Sequence, residues 1–171
     1  MKALLFAIVG FSCVSPAYAE KLIWKREAFP SKCVDVTEKN PEGDYVVYRC
    51  MTKFGPPMWQ IIQDSVRQSI GFGTVQNIPY LGAVATRGDW PLEWGGVMKG
   101  KKFVPKVAIA RFQFSPEDPT ITALAAYRIL ANGTSCHIDV DLSGKDANSR
   151  VRRLAEDPAT PCAEDDNIVK K

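Results

Sequence analysis

Several stretches of this chain carry the hydrophobic pattern of strands, one stretch near the C-terminus carries a helical period, and one in the middle fits either. The first β-rich pair is CVDVT (33–37) and YVVYRC (45–50), which flank NPEG at 40–43. Asn first, Pro second and Gly fourth mark a type I turn. A hairpin centred between Pro41 and Glu42 sets Val36 opposite Val47 and Cys33 opposite Cys50. Directly opposed strand positions lie ~4.5–5.5 Å apart, within reach of a disulfide. PPMWQIIQDSVRQSIGFG (56–73) fits either a helix with Trp59, Ile62, Val66 and Ile70 inward or two strands broken at Asp64-Ser65. The β-favouring end of that stretch tilts the reading of 58–73 to strands. Residues 74–103 read as loop-rich.

VPKVAIARFQF (104–114) is apolar on both faces, as a central strand would be. SPEDP (115–119) turns it into a strand from Thr120 to Ala131, and Asn132-Gly133 signals a two-residue hairpin into Thr134–Asp141. Residues 104–141 are therefore expected to form a three-stranded meander. The two-residue turn sets Ile129 opposite Cys136, Tyr127 opposite Ile138 and Ala125 opposite Val140, one apolar face. The other face pairs Arg128 with His137, Ala126 with Asp139 and Leu124 with Asp141, and reads as solvated. In DANSRVRRLAED (146–157), Ala147, Val151, Leu154 and Ala155 share one helical face, with Pro158 as the stop. Ser143 is the expected N-cap, with Asp146 at N3. The strand ending at Asp141 and the returning helix each span ~17 Å. That return brings Cys162 back to Cys136, and a bond there would pin the helix to the sheet.

The N-terminus changes the picture of where this domain works. Lys2, an apolar run from Ala3 to Val14, and Ala17-Tyr18-Ala19 form a secretory leader with cleavage expected after Ala19. The apolar run is too short to span ~30 Å of hydrocarbon. Cys13 lies within the leader. The expected organisation is a signal peptide (1–19), one α+β domain (20–162) and a flexible tail (163–171). The mature protein would be periplasmic or secreted, with no membrane span. Four cysteines remain after cleavage, Cys33, Cys50, Cys136 and Cys162, an even number suited to two disulfides in an oxidising compartment. Loss of Lys2 lowers the formal charge from +3 to +2, and no basic stripe points to nucleic acid. The fold class that follows is α+β: antiparallel hairpins and a meander, with a C-terminal helix packed on one face and two disulfides.

YRC (48–50), GFG (71–73), EW (93–94), the apolar strand near 107–112, CH (136–137), DAN (146–148), LAED (154–157) and the late Cys162 together resemble a group of small exported bacterial proteins of unknown function. The resemblance runs over most of the mature chain. It implies export, a single domain and a β-rich fold stapled by cysteines, and it implies no activity.

Candidate chemistry is sparse. His137, the one histidine, shares a strand face with Asp139 and Asp141 in the expected register. DVDLSG (139–144) matches the opening of an EF-hand loop, but Arg150 stands where the twelfth-position Glu belongs. Arg128, opposite His137, would repel a cation there. A calcium protein or hydrolase at His137, Asp139 and Asp141 is thus the weakest reading, and no metal or cofactor is expected. No Gly-x-Ser-x-Gly accompanies a serine, and a Glu93–Asp89 carboxylate pair has nothing to mark it. Trp90 and Trp94, beside Pro91 and several glycines, could be presented by a loop to stack on cell-envelope sugars or another small ligand. Arg128, His137 and Asp139 complete the set of candidate binding residues. The leading expectation is an exported binding or accessory protein without catalysis, such as an inhibitor or partner of an envelope or host protein. A glycan-binding module at Trp90 and Trp94 is the alternative.

Overall fold

A computed structural model describes residues 21–37, 45–63, 67–74, 90–113, 118, 120–142, 144 and 146–163. The expected leader, the NPEG turn, Asp64-Ser65, Asp89, Ser143 and all of the tail beyond Ala163 lie outside the described residues. Among the described residues nine strands and one helix follow in order: β1 (Ile23–Ala28), β2 (Cys33–Asp35), β3 (Tyr45–Cys50), β4 (Met58–Gln63), β5 (Arg67–Phe72), β6 (Pro91–Lys99), β7 (Lys102–Gln113), β8 (Thr122–Ile129), β9 (Ser135–Leu142) and α1 (Ala147–Glu156). They form two antiparallel sheets, β1-β6-β7-β8-β9 and β2-β3-β4-β5.

The five-stranded sheet is the middle layer. On β7, Ala108, Ala110 and Phe112 join the core shared with the four-stranded sheet, where Cys50, Met58, Ile70 and Phe72 meet them. The alternate residues Val107 and Ile109 join Ala147, Val151 and Ala155 of α1. A strand buried on both faces carries no polar alternation, which is why Val107 to Ala110 reads as an unbroken apolar run. The region 58–73 is the pair of strands β4 and β5, with Met58 opposite Phe72. Residues 91–99, expected within a loop-rich stretch, instead form β6, paired to β1 and β7.

Both expected disulfides are present. Cys33 and Cys50 are opposed across β2 and β3 and bonded at 2.03 Å, and Val36 donates its N–H to the Val47 carbonyl at 2.9 Å. Cys136 is bonded to Cys162, with Cα atoms 5.7 Å apart. Ala163, expected in the tail, is held at β9 by an N–H bond to the His137 carbonyl at 2.8 Å.

The β8–β9 hairpin departs from expectation by one residue. Leu130 donates its N–H to the Thr134 carbonyl, and Gly133 adopts φ +83° and bonds Leu130. Ala131, Asn132 and Gly133 thus form a three-residue loop with glycine in the left-handed position, a common alternative to the two-residue turn. Tyr127 now faces His137 and Arg128 faces Cys136. The register recovers through an irregularity between Ala126 and Tyr127, so Ala126 still faces Asp139 and Ala125 still faces Val140. Because side chains alternate, a one-residue slip exchanges faces. His137 turns inward and is 3% exposed, while Ile138 joins the helix-side core. The helix therefore covers the Leu124/Ala126 face, which the sequence had marked as solvated.

Helix and sheet are joined by a half-buried ion cluster. The Glu93 side chain, 6% exposed, accepts from Arg26 at 2.8 Å on Oε1 and from Nε and Nη2 of Arg152 on Oε2. The Arg152 guanidinium stacks over Trp24 at 4.7 Å, and the Trp24 indole donates to Glu156 at 2.9 Å. Asp146, not Ser143, is the N-cap of α1, without a side-chain cap bond.

Candidate functional site

The expected sites disperse in three dimensions. β6 alternation sends Leu92 and Trp94 into the inter-sheet core, where Trp94 is 0% exposed and its indole donates to Glu27. Its ring is roofed by Gly55, whose hypothetical Cβ would lie 2.1 Å from the indole. Trp90 is half-buried at the bend before β6. The two tryptophans thus form no presented platform for a sugar. Arg128 donates to the Thr160 carbonyl at 2.6 Å and the Asp157 carbonyl at 3.0 Å, neutralising the C-terminal end of α1. His137 packs edge-on against Tyr127, ring centroids 5.5 Å apart. Positions 137 and 139 oppose adjacent β8 residues, Tyr127 and Ala126, which belong to different core clusters. His137 therefore turns inward beside Tyr127, and the side chains of Asp139 and Asp141 lie outside what the structure describes. Glu93, considered as half of a carboxylate pair, is engaged by Arg26 and Arg152. Among the described residues no group of three or more His, Cys, Asp or Glu is placed to hold a metal ion. Burial pushes the Tyr127 phenol well above its ordinary value, and its hydroxyl has no hydrogen-bond partner among the described residues.

A different feature arises where β7 and β8 part. β7 pairs with β6 from Lys102 onward, but it pairs with β8 only from Val107. Two sequence details account for the split. Pro105 has no N–H to give a second neighbour. Lys106 is an extra residue, since Gly95 pairs with Val107 and Gly96 with Pro105. β8 meanwhile leaves the ladder into the three-residue loop. A cleft opens between residues 102–106 and the hairpin end at Ile129, Leu130 and Ala131.

The cleft has a chamber on each face of the sheet. The chamber on the inter-sheet side holds about 450 Å³ and is walled by Phe54, Pro56, Phe103, Pro105 and Leu130. The one on the helix side holds about 370 Å³, walled by Leu22, Val97, Val107, Ala155 and Pro158. Lys106, Ile129, Leu130 and Ala131 line both.

Lysines frame the inter-sheet chamber. Lys25 holds its ammonium 5.0 Å from the Phe54 centroid and 4.6 Å from that of Phe103. Lys53 sits 5.2 Å from the Phe54 ring, and the two rings meet edge to face at 6.2 Å. Lys102 and Lys106 add exposed cations along the β7 side. Lys25, Lys53, Lys102 and Lys106 come from β1, the β3–β4 connection and β7, so no single run of basic residues joins them; KGKK (99–102) reaches only Lys102. The one local signal is Pro105 within the apolar run, with a lysine on each side of the KFVPK segment (102–106). Across the described residues no helix is long and apolar enough to cross a membrane.

No family model matches this chain, and neither a curated protein nor a solved structure matches it.

Proposed function

We propose that this protein is an exported binding or accessory protein, without catalysis of its own, that engages another protein through the cleft between β7 and the β8–β9 hairpin. The observation that carries this reading is the cleft itself. It is a mainly apolar surface open on both faces of a sheet, with Lys102 and Lys106 lining its inter-sheet chamber and Lys106, Arg128 and Glu156 its helix-side chamber. In a small domain, a concave apolar surface ringed by charge is the usual form of an interaction site. The polar side chains that line its inter-sheet chamber are lysines, suited to holding an anion. An inhibitor of an envelope or host enzyme is one form such a protein takes. Two supports favour a periplasmic or secreted location: the leader pattern of residues 1–19 and the two disulfides.

The test is affinity capture with the mature, disulfide-bonded chain from envelope extracts. Wild type should retain a discrete partner that Leu130→Glu, in the cleft, loses and Val34→Glu, on the exposed β2, keeps. Equal capture by all three chains, or none by wild type, overturns the reading.

A further inference from the structure

Resting on that reading, we infer that the cleft accepts an extended, acidic segment of the partner, added as a strand along residues 102–106 of β7.

The backbone is the first argument. Each residue of a strand offers its N–H and C=O to one side or the other, and an internal strand needs two neighbours. Over 102–106, β7 has β6 on one side and, among the described residues, no strand on the other, where the cleft lies. An unpaired strand edge is a template for another strand. The five-residue edge is about 17 Å long at the rise of an extended chain. Pro105 removes one donor, but its carbonyl and the groups of its neighbours remain.

The two chambers are the second argument. Successive side chains of an added strand point to opposite faces of the sheet. Here each face has its own apolar chamber, and both are bordered by Ile129 and Leu130. A strand in the cleft would place alternate side chains in each. A globular surface would reach only one.

Charge supplies the third. Lys102 and Lys106 flank the edge, and Lys25 and Lys53 stand over the Phe54 and Phe103 rings. Carboxylates on the segment would meet this field, which also speeds encounter. A second copy of this edge would bring like charges together. A sugar ring would have to stack on aromatic faces that the Lys25 and Lys53 ammoniums already occupy. An acidic strand satisfies edge, chambers and charge at once.

The probe is a fluorescein-labelled nine-residue peptide of alternating Glu and Val, titrated by anisotropy against the mature disulfide-bonded protein. Saturable binding is expected, weakened about tenfold by N-methylation of alternate backbone amides of the peptide. A similar loss, about tenfold, is expected for Lys102→Glu with Lys106→Glu, whose exposed side chains leave the melting temperature unchanged. Replacement of Glu by Lys in the peptide should abolish binding. The inference falls if the N-methylated peptide binds as well as its parent, or if a sulfated polysaccharide or anionic vesicles bind while the peptide does not. It also falls if no saturation is reached by roughly 1 mM peptide. Should the peptide fail while capture of a partner still depends on Leu130, the acidic strand is wrong and the binding reading stands. Loss of both removes both.

Discussion

Replacing Arg152 by Met should destabilise the protein far more than replacing Arg26 by Met, although both guanidiniums contact one carboxylate. Glu93 is nearly enclosed, with 6% of its side chain exposed, whereas Arg26 is 61% and Arg152 31% exposed. Arg26 gives a single contact at the rim, and such exposed pairs contribute about 0–1 kcal/mol. Arg152 gives two donors to Oε2 and lies over Trp24. Removing one partner of a buried pair costs about 3–5 kcal/mol, because the other charge is left without compensation. Arg26 remains to hold Oε1, so the lower end applies, and the stacking adds about 0.5–1 kcal/mol. Arg152→Met should therefore cost about 3 kcal/mol, or roughly 6–12 °C in Tm for a chain of this size. Adding Glu93→Leu to Arg152→Met should restore part of the loss, since an apolar pair no longer buries a lone charge. Urea unfolding of the four members of the Glu93/Arg152 cycle at constant m reads the coupling directly. Equal losses for Arg26→Met and Arg152→Met, or a coupling below about 0.5 kcal/mol, would refute the account of the helix–sheet junction.

Three further outcomes follow from particular contacts. Tyr127→Phe should raise stability by about 1 kcal/mol in urea unfolding, because the buried hydroxyl has no partner among the described residues. The same residue sets a pH dependence: above about pH 10 the unfolded chain ionises its phenol while the folded chain keeps the proton, so stability falls as pH rises. Tyr127→Phe should flatten that alkaline slope, measured as Tm against pH. Gly55→Ala should cost about 1–3 kcal/mol and shift tryptophan emission, as the added methyl meets the Trp94 ring. The disulfides close separations of 17 and 26 residues, so chain entropy assigns them about 3 and 3.5 kcal/mol. Cys33→Ala with Cys50→Ala, and Cys136→Ala with Cys162→Ala, should thus lower the urea midpoint by similar amounts.

Where two independent constraints met in the sequence, the fold was legible. The β2–β3 register follows from turn chemistry and from the requirement that Cys33 reach Cys50, and both demand the same pairing. The β8–β9 hairpin had only its turn dipeptide to go on. Asn132-Gly133 suits a two-residue turn and equally a three-residue loop with Gly133 left-handed, and these differ by one residue of register. That residue decides whether His137 meets solvent or Tyr127. Pairing two sheets was less visible, because β6 carries glycines and a proline that read as loop. Trp94 was placed outside for that reason and lies inside. Of the cleft only Pro105 between Lys102 and Lys106 was visible, since Lys25 and Lys53 are distant in the chain and the split depends on where β8 stops pairing. Arg128 shows the same limit: its partners, the Asp157 and Thr160 carbonyls, exist only after the helix has returned.

The bond between Cys136 and Cys162 encloses the whole of α1 in a covalent ring. A protease that cut the connection between β9 and α1 would open the ring without freeing a fragment. The helix, still tethered to β9 at its far end, would have a high local concentration beside its groove and would settle back after each excursion. Damage of this kind would pass unseen in a native assay and appear only when the sample is reduced. Under proteolysis, that ring converts a severing event into a nick.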